Sequence, residues 1–324
     1  MSKIAGITLG DPAGVGPEVV IKSLEYFLKK EKDFTFLLFG DIYVVEKNQK
    51  QIGADFKINY IKEKEDIKEG VVNLLDIGII KDEYPTSKVS SLCGKASFKY
   101  LEKGIEFAKE KIIDFLITAP ISKKAWQLAG YNFSGHTEML AYYTCAEEVC
   151  MVMISGNLRA IPVTVHIPLS EISRLLTPQL IERKVKTGLK FLKRLKIDNP
   201  KIGVVSLNPH GGEDGMLGME EEEVIVPAVE KLKREGVNCM GPFSPDRIFR
   251  EWIEGKYDLL VGMYHDQIMI PLKTFYFSKL INFTEGLPFP RASPGHGTGF
   301  DIAYRNIADP TPMIESIKFC EKII

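Results

Sequence analysis

Three of the chain's five histidines, His166, His210 and His265, each follow a strand-like apolar run and precede a turn or helix. Three neutral imidazoles suit Zn2+ or a similar transition ion and leave a fourth position open for substrate. That is the donor set of a catalytic rather than a structural site. Their separations along the chain are too wide for a zinc finger. The plain alternative is three unrelated turn histidines, and their equivalent positions after strands favour the metal. Whether one subunit or two would supply the rings stays open at this level. A second set suits an anion. His136 and Thr137 lie in Gly135-His136-Thr137-Glu138, a helix start with free backbone N–H groups. Lys273, Asn282 and Arg291 join them, Arg291 sitting in a Pro-rich turn that suits a guanidinium held for carboxylate or phosphate. Each has a plainer reading: Thr137 as a cap with His136 idle, Asn282 as a turn residue, Arg291 in a surface salt bridge. Lys123 and Lys124 either reach an anion or are solvated.

The elements that must hold these groups are legible as alternation. Tyr257–Met263 has the short continuous apolar character of a buried parallel strand, followed by His265-Asp266-Gln267 and an apolar run to Pro271 and Lys273. Similar runs at Ile4–Leu9, Phe34–Phe39, Ile112–Thr118, Cys150–Ser155, Arg159–Val165 and Lys201–Leu207 alternate with helical stretches. The pattern predicts an α/β fold with a mainly parallel, doubly wound sheet, whose chemistry lies past the carboxyl ends of the strands. Gly156-Asn157 has the composition of a hairpin turn. Expected helices run to about Lys30 after Pro17 and Glu18, over Cys93–Lys111, Met139–Ala146, Thr177–Leu195, Glu220–Glu235 and Arg247–Glu254, and from about Pro310. Asp41 and Asp246 are expected helix caps, and the glutamates from Glu220 onward match the helix dipole. Lys62–Glu69 reads as a solvated charge run. The loop Gly10-Asp11-Pro12-Ala13-Gly14-Val15-Gly16 is neither a Walker loop nor G-x-G-x-x-G, so it is either a tight turn or a backbone approach to a ligand.

At 324 residues the chain fits two α/β domains, or one large one. The expected division is 1–130 plus 300–324 against 131–299, the latter carrying most metal and substrate residues. With 45% hydrophobic and 26% charged residues and a net charge of −1, there is no basic excess to neutralise phosphate. Nucleic acid and anionic membrane are therefore not expected partners. No apolar run approaches the ~20 residues that span a bilayer, and no signal-peptide core opens the chain. Five scattered cysteines without C-x-x-C spacing read as reduced thiols, and a cytoplasmic location is expected.

The combined motifs resemble the 4-hydroxythreonine-4-phosphate dehydrogenase family of pyridoxal-phosphate biosynthesis along nearly the whole chain. The segments that carry the resemblance are ITLGDPAGVGPE (7–18), TAPISKKA (118–125), GHTEML (135–140), VHIPL (165–169), SLNPHGGEDG (206–215), GPFSPD (241–246), YHDQIMIPLK (264–273) and NFTEGLPFPRASPGHGTGFDIA (282–303). The resemblance implies two α/β/α domains like those of isocitrate and isopropylmalate dehydrogenases, with a cleft between them, and a homodimer whose active site is shared at the interface. It implies His166, His210 and His265 as metal ligands, and His136, Thr137, Lys273, Asn282 and Arg291 as substrate-binding residues. The implied activity is NAD- or NADP-dependent oxidation of 4-phosphohydroxy-L-threonine to 2-amino-3-oxo-4-phosphooxybutanoate, which loses CO2 to give 3-amino-2-oxopropyl phosphate. A divalent ion is required, zinc first, with cobalt or magnesium as alternatives. Sister enzymes act on 4-phosphothreonate, 4-phosphoerythronate or dihydrodiols, and a non-catalytic phosphometabolite binder is the reading from another class. Candidates for the base are Asp246, Asp266 and Lys273, and no residue is assigned to the nicotinamide cofactor.

Overall fold

A computed structural model describes residues 3–30 and 34–324, so the first two residues of the segment expected to lack a signal-peptide core, Met1 and Ser2, lie outside the described residues. In chain order the elements are β1 (Lys3–Thr8), α1 (Gly16–Leu28), β2 (Phe34–Gly40), α2 (Ile42–Ile52), β3 (Ile58–Ile61), β4 (Val72–Asp76), α3 (Ser91–Lys109), β5 (Phe115–Thr118), α4 (Lys123–Leu128) and α5 (His136–Thr144). They continue with β6 (Cys150–Ser155), β7 (Leu158–Pro162), α6 (Ile172–Leu175), α7 (Pro178–Arg194), β8 (Ile202–Val205), α8 (Val226–Arg234), β9 (Cys239–Phe243), α9 (Pro245–Ile253), β10 (Leu259–Gly262) and α10 (His265–Tyr276). The chain closes with β11 (Ile281–Glu285), β12 (Arg291–Pro294) and α11 (Thr311–Ile323). Among the described residues no helix is long and apolar enough to cross a membrane.

The chain divides into two compact units, Met1–Glu148 with Ile281–Ile324, and Val149–Leu280. This differs from the expected borders, because 131–148 and 281–299 both group with the first unit. Backbone pairing is the reason. β12 pairs parallel with β5, and β11 pairs antiparallel with β12, so the returning chain is stitched into the first unit's sheet. Sequence periodicity carries no information about which distant strand an edge will find.

In the first unit the strand order is β3-β4-β2-β1-β5-β12-β11, parallel except for β11. In the second it is β6-β7-β10-β8-β9, parallel except for the β6–β7 hairpin that turns at Gly156-Asn157. Each residue of β5, β8 and β10 is buried, as expected for parallel strands covered on both faces. Fully burying Leu259, Leu260 and Val261 contributes roughly 1.5–3 kcal/mol per side chain, which anchors the strand that delivers His265. The helix α7 follows its pattern: Thr177 accepts a hydrogen bond from the Leu180 N–H, Pro178 opens the helix, and Ile181, Val185 and Leu192 are buried.

A buried carboxylate takes more donors than a cap offers, and two acids at helix starts, Asp41 and Glu221, turn inward for that reason. Asp41 occupies the cap position of α2 but makes no cap bond; it accepts from the Ile79 and Ile80 N–H groups and the Tyr100 hydroxyl. The helix expected over Glu220–Glu235 begins with a π-helical turn, Glu221–Ile225, which turns Glu221 inward. There its carboxylate accepts the Leu207 and Asn208 N–H groups at 2.8 Å, while Glu222 and Glu223 stand beside it in the first turn, as the helix dipole favours. Asp246 is not the cap of α9 either, since the cap position belongs to Ser244.

Candidate functional site

β7, β10 and β8 are neighbours in the second unit, and the three histidines stand past their carboxyl ends. His166 follows β7, His265 opens α10 directly after β10, and His210 sits in the turn after β8 with φ +53°. The His166 and His265 rings lie with centroids 6.0 Å apart and line a recess of about 240 Å³ with Leu169, Ile172, Tyr264 and Asp266. The Asp266 carboxylate is 2.6 Å from His265 Nδ1. A carboxylate only accepts, so Nδ1 is the donor, and in the neutral ring this leaves the lone pair on Nε2, the tautomer a metal-ligating imidazole needs. His210 is exposed, and its Nδ1 is 4.0 Å from Asp246 Oδ2. The Ser244 hydroxyl donates to Asp246, and that bond holds this carboxyl below its ordinary range.

Among the described residues no group of three or more His, Cys, Asp or Glu side chains is placed to hold a metal ion. One chain thus presents an imidazole pair with an orienting carboxylate, donors whose chemistry fits a divalent transition ion, but not the complete three-histidine set. Lys273 is exposed on α10, two turns beyond His265.

The anion-suited residues of the first unit are differently placed. Arg291 is not on the surface and not in a salt bridge: it opens β12 and is 1% exposed. Its Nε donates to Thr118 Oγ1 at 3.1 Å, one terminal nitrogen donates to Thr284 Oγ1 at 2.9 Å, and the other donates to Thr118. These partners are neutral, and burial pushes the guanidinium down to about 10. β11 and β12 set the neighbourhood. Asn282 faces Ser293 across the pair, and alternation puts Asn282, Thr284, Arg291 and Ser293 on one face. Asn282 Oδ1 is buried with no hydrogen-bond partner.

α5 starts at His136, three residues before the expected Met139, with Gly135 at the cap position. Thr137 is therefore inside the first turn, not its cap. The His136 imidazole is held well below its ordinary pKa, first by burial, then by the charges of Arg291 and Lys123. Its ring lies edge-on to Trp126 at 6.1 Å, and its Nε2 is buried without a partner. Buried polar atoms are almost always paired in folded proteins. Two orphaned atoms near an unpaired buried cation are what a polar, anionic ligand would satisfy.

The glycine-rich loop is a tight turn. Gly10 has φ +70°, and a Cβ there would come 2.4 Å from the Pro120 carbonyl oxygen; a Cβ on Gly14 would come 2.6 Å from that of Thr298. Sequence reading passed over Asp11 in this loop. Its side chain is fully buried, with Oδ1 accepting the Ala13 N–H and Oδ2 unpartnered, and burial raises its pKa to about 6. Thr118 and Thr284 were also missed; no composition signal distinguishes a threonine that holds an arginine from one that fills a strand.

Comparison with known proteins follows the same lines. The family model described as pyridoxal phosphate biosynthetic protein PdxA matches residues 32–320. D-threonate 4-phosphate dehydrogenase of Cupriavidus necator is 39% identical over 318 residues, covering 97% of this chain and 95% of that one. 4-hydroxythreonine-4-phosphate dehydrogenase of Sulfurihydrogenibium sp. is 39% identical over 319 residues, covering 98% and 97%. The crystal structure of 4-hydroxythreonine-4-phosphate dehydrogenase from Klebsiella pneumoniae is 34% identical, covers 99% of both chains and superposes with a TM-score of 0.87. Isocitrate dehydrogenase from Methylococcus capsulatus, 11% identical over 98% of this chain and 84% of its own, shares the fold at a TM-score of 0.51.

Proposed function

The chain belongs to the PdxA family of pyridoxal phosphate biosynthetic proteins and is an oxidoreductase, and from that premise we propose that it oxidises 4-phosphohydroxy-L-threonine with NAD or NADP. The product is 2-amino-3-oxo-4-phosphooxybutanoate, a β-keto acid that loses CO2 to give 3-amino-2-oxopropyl phosphate. The observation that carries this reading is Arg291, a buried guanidinium on neutral threonine hydroxyls, beside a neutral His136 and an orphaned Asn282 oxygen. Arg291 supplies the fixed positive charge for an anionic end of the substrate, and Asn282, His136 and Thr137 supply directional hydrogen bonds.

His166, His210 and His265 would hold a divalent ion, zinc first, with cobalt or magnesium as alternatives. When bound, that ion supplies Lewis acidity at the substrate alcohol and the nicotinamide supplies the hydride acceptor. Asp266 keeps the His265 proton on Nδ1. That tie removes Asp266 as a base, and the hydrogen bond from Ser244 makes Asp246 a weak one. Lys273 carries neither tie and is the remaining candidate to take the alcohol proton. With an incomplete set on each chain, the third ligand comes from a second copy, as a homodimer. Exposed Ile270, Phe275 and Phe277, on or just after the helix that begins with His265, support such an association.

The test is NADH formation from 4-phosphohydroxy-L-threonine before and after chelation. Turnover lost with the chelator and restored by Zn2+ or Co2+ is expected; chelator-insensitive turnover would remove the metal from the reading, and no turnover would sink the activity. A second reading has its own observation, the relative from Cupriavidus necator named for D-threonate 4-phosphate. That substrate carries a hydroxyl where hydroxythreonine carries an ammonium, so kcat/KM on the two compounds decides between them.

A further inference from the structure

β8 and β10 pair in parallel from Ile202 to Val204 and from Leu259 to Val261, after which the ladder ends. The two strands then part, one toward His210 and the other toward His265. On the opposite side β7 stays joined to the end of β10 by backbone bonds, Val163 N–H to the Gly262 oxygen at 2.7 Å and Thr164 N–H to the Met263 oxygen at 3.1 Å. Between β10 and β8 a side chain makes this connection. Gln267 Oε1 accepts the Met263 N–H at 2.7 Å, and Gln267 Nε2 donates to the Ser206 oxygen at 2.7 Å, both buried. A carboxamide has the donor and acceptor of a peptide group, so it can stand in for a rung that the parting backbones no longer make. Gln267 lies in the first turn of α10, which His265 opens, and Ser206 leads through Asn208 to His210. The Asn208 end of that loop is fastened separately by Glu221.

We propose that Gln267 is a positioning residue, a surrogate ladder rung that fixes where the β8 and β10 ends present His210 and His265, each to the copy whose site it serves, and through it the affinity for a divalent ion. The role of the two histidines rests on the function proposed above; the rung itself does not.

Gln267→Leu keeps the bulk of the side chain and removes both bonds. Outer-shell partners of metal ligands typically change affinity about 10- to 100-fold, and a loss of that order in Co2+ binding is expected here. The control is Val185→Ala, a core truncation on α7 in the same unit, which lowers the melting temperature and leaves Co2+ affinity unchanged. If Gln267→Leu does not fold, Gln267→Glu retains the acceptor for Met263 but loses the donor to Ser206, and the same loss is expected. A Gln267 variant that melts earlier yet binds Co2+ as tightly as the parent overturns the proposal. Hydrogen exchange on the metal-free protein separates this from the wider reading. Acceleration confined to 206–215 and 263–267 supports the rung, and unchanged exchange at 206–215 overturns it. Should the parent protein take up no Co2+ at all, the metal-dependent dehydrogenase reading fails, and the exchange data still decide the rung.

Discussion

Arg291 stores a conflict that a ligand resolves. A guanidinium at 1% exposure with hydroxyl partners has lost its hydration without gaining a countercharge. Removing it should therefore help the empty protein and harm the loaded one. Arg291→Met is expected to raise stability by about 1 kcal/mol or more. The same change should lower kcat/KM at least about 30-fold through loss of a buried charge-assisted contact. Thermal melts with and without substrate, alongside steady-state kinetics, test this. A destabilised variant with unchanged KM would make Arg291 a structural residue. His136 belongs to the same logic, since an imidazole kept neutral by burial and by Arg291 avoids adding a second uncompensated charge.

The glycine-rich turn before α1 has a titratable group of its own. The Asp11 carboxyl is lifted from its ordinary 3.8 to about 6 by burial. Between those values the folded protein keeps a proton that the unfolded chain has released, so stability falls as pH rises through the window. The full loss above it is about 3 kcal/mol at roughly 1.4 kcal/mol per unit. Asp11→Asn remains neutral and preserves an acceptor for the Ala13 N–H. Its advantage in urea melts should be greatest at about pH 7 and above and fade toward about pH 4. A difference independent of pH would mean that the carboxyl is not held protonated. The same turn illustrates why an element can be read correctly and its residues not: Gly10, Gly14 and Pro17 announce a strand-to-helix turn, but nothing local announces that Asp11 faces inward.

For the whole molecule the proposed sharing of the metal between two copies has a direct consequence. His210→Ala and His265→Ala subunits are each expected to be inactive alone. If a complete site takes His166 and His265 from one chain and His210 from the other, unfolding and refolding them together should restore part of the activity. Mixed dimers then contain one intact set. Restored turnover, measured against each variant refolded by itself, checks the arrangement; none would place all three histidines of a site on one chain or remove His210 from it.

Most of the parallel strands were readable because apolar runs such as Ile112–Thr118 and Tyr257–Met263 are short and bounded by turn residues, and the strands within them, Phe115–Thr118 and Leu259–Gly262, are buried on both faces. The placement of His166, His210 and His265 after strands followed from the same local pattern. The family, too, was visible in long idiosyncratic segments such as the one from Asn282 to Ala303. What local pattern could not decide was pairing over distance. Only tertiary structure assigned β11 and β12 to the first unit, sank Arg291 beneath Thr118 and Thr284, turned Asp41 and Glu221 from helix ends to buried acceptors, and set Gln267 between two strand ends. Secondary structure answers to the residues on either side, whereas the partner of a buried polar group is whatever the folded chain brings within 3 Å or so of it.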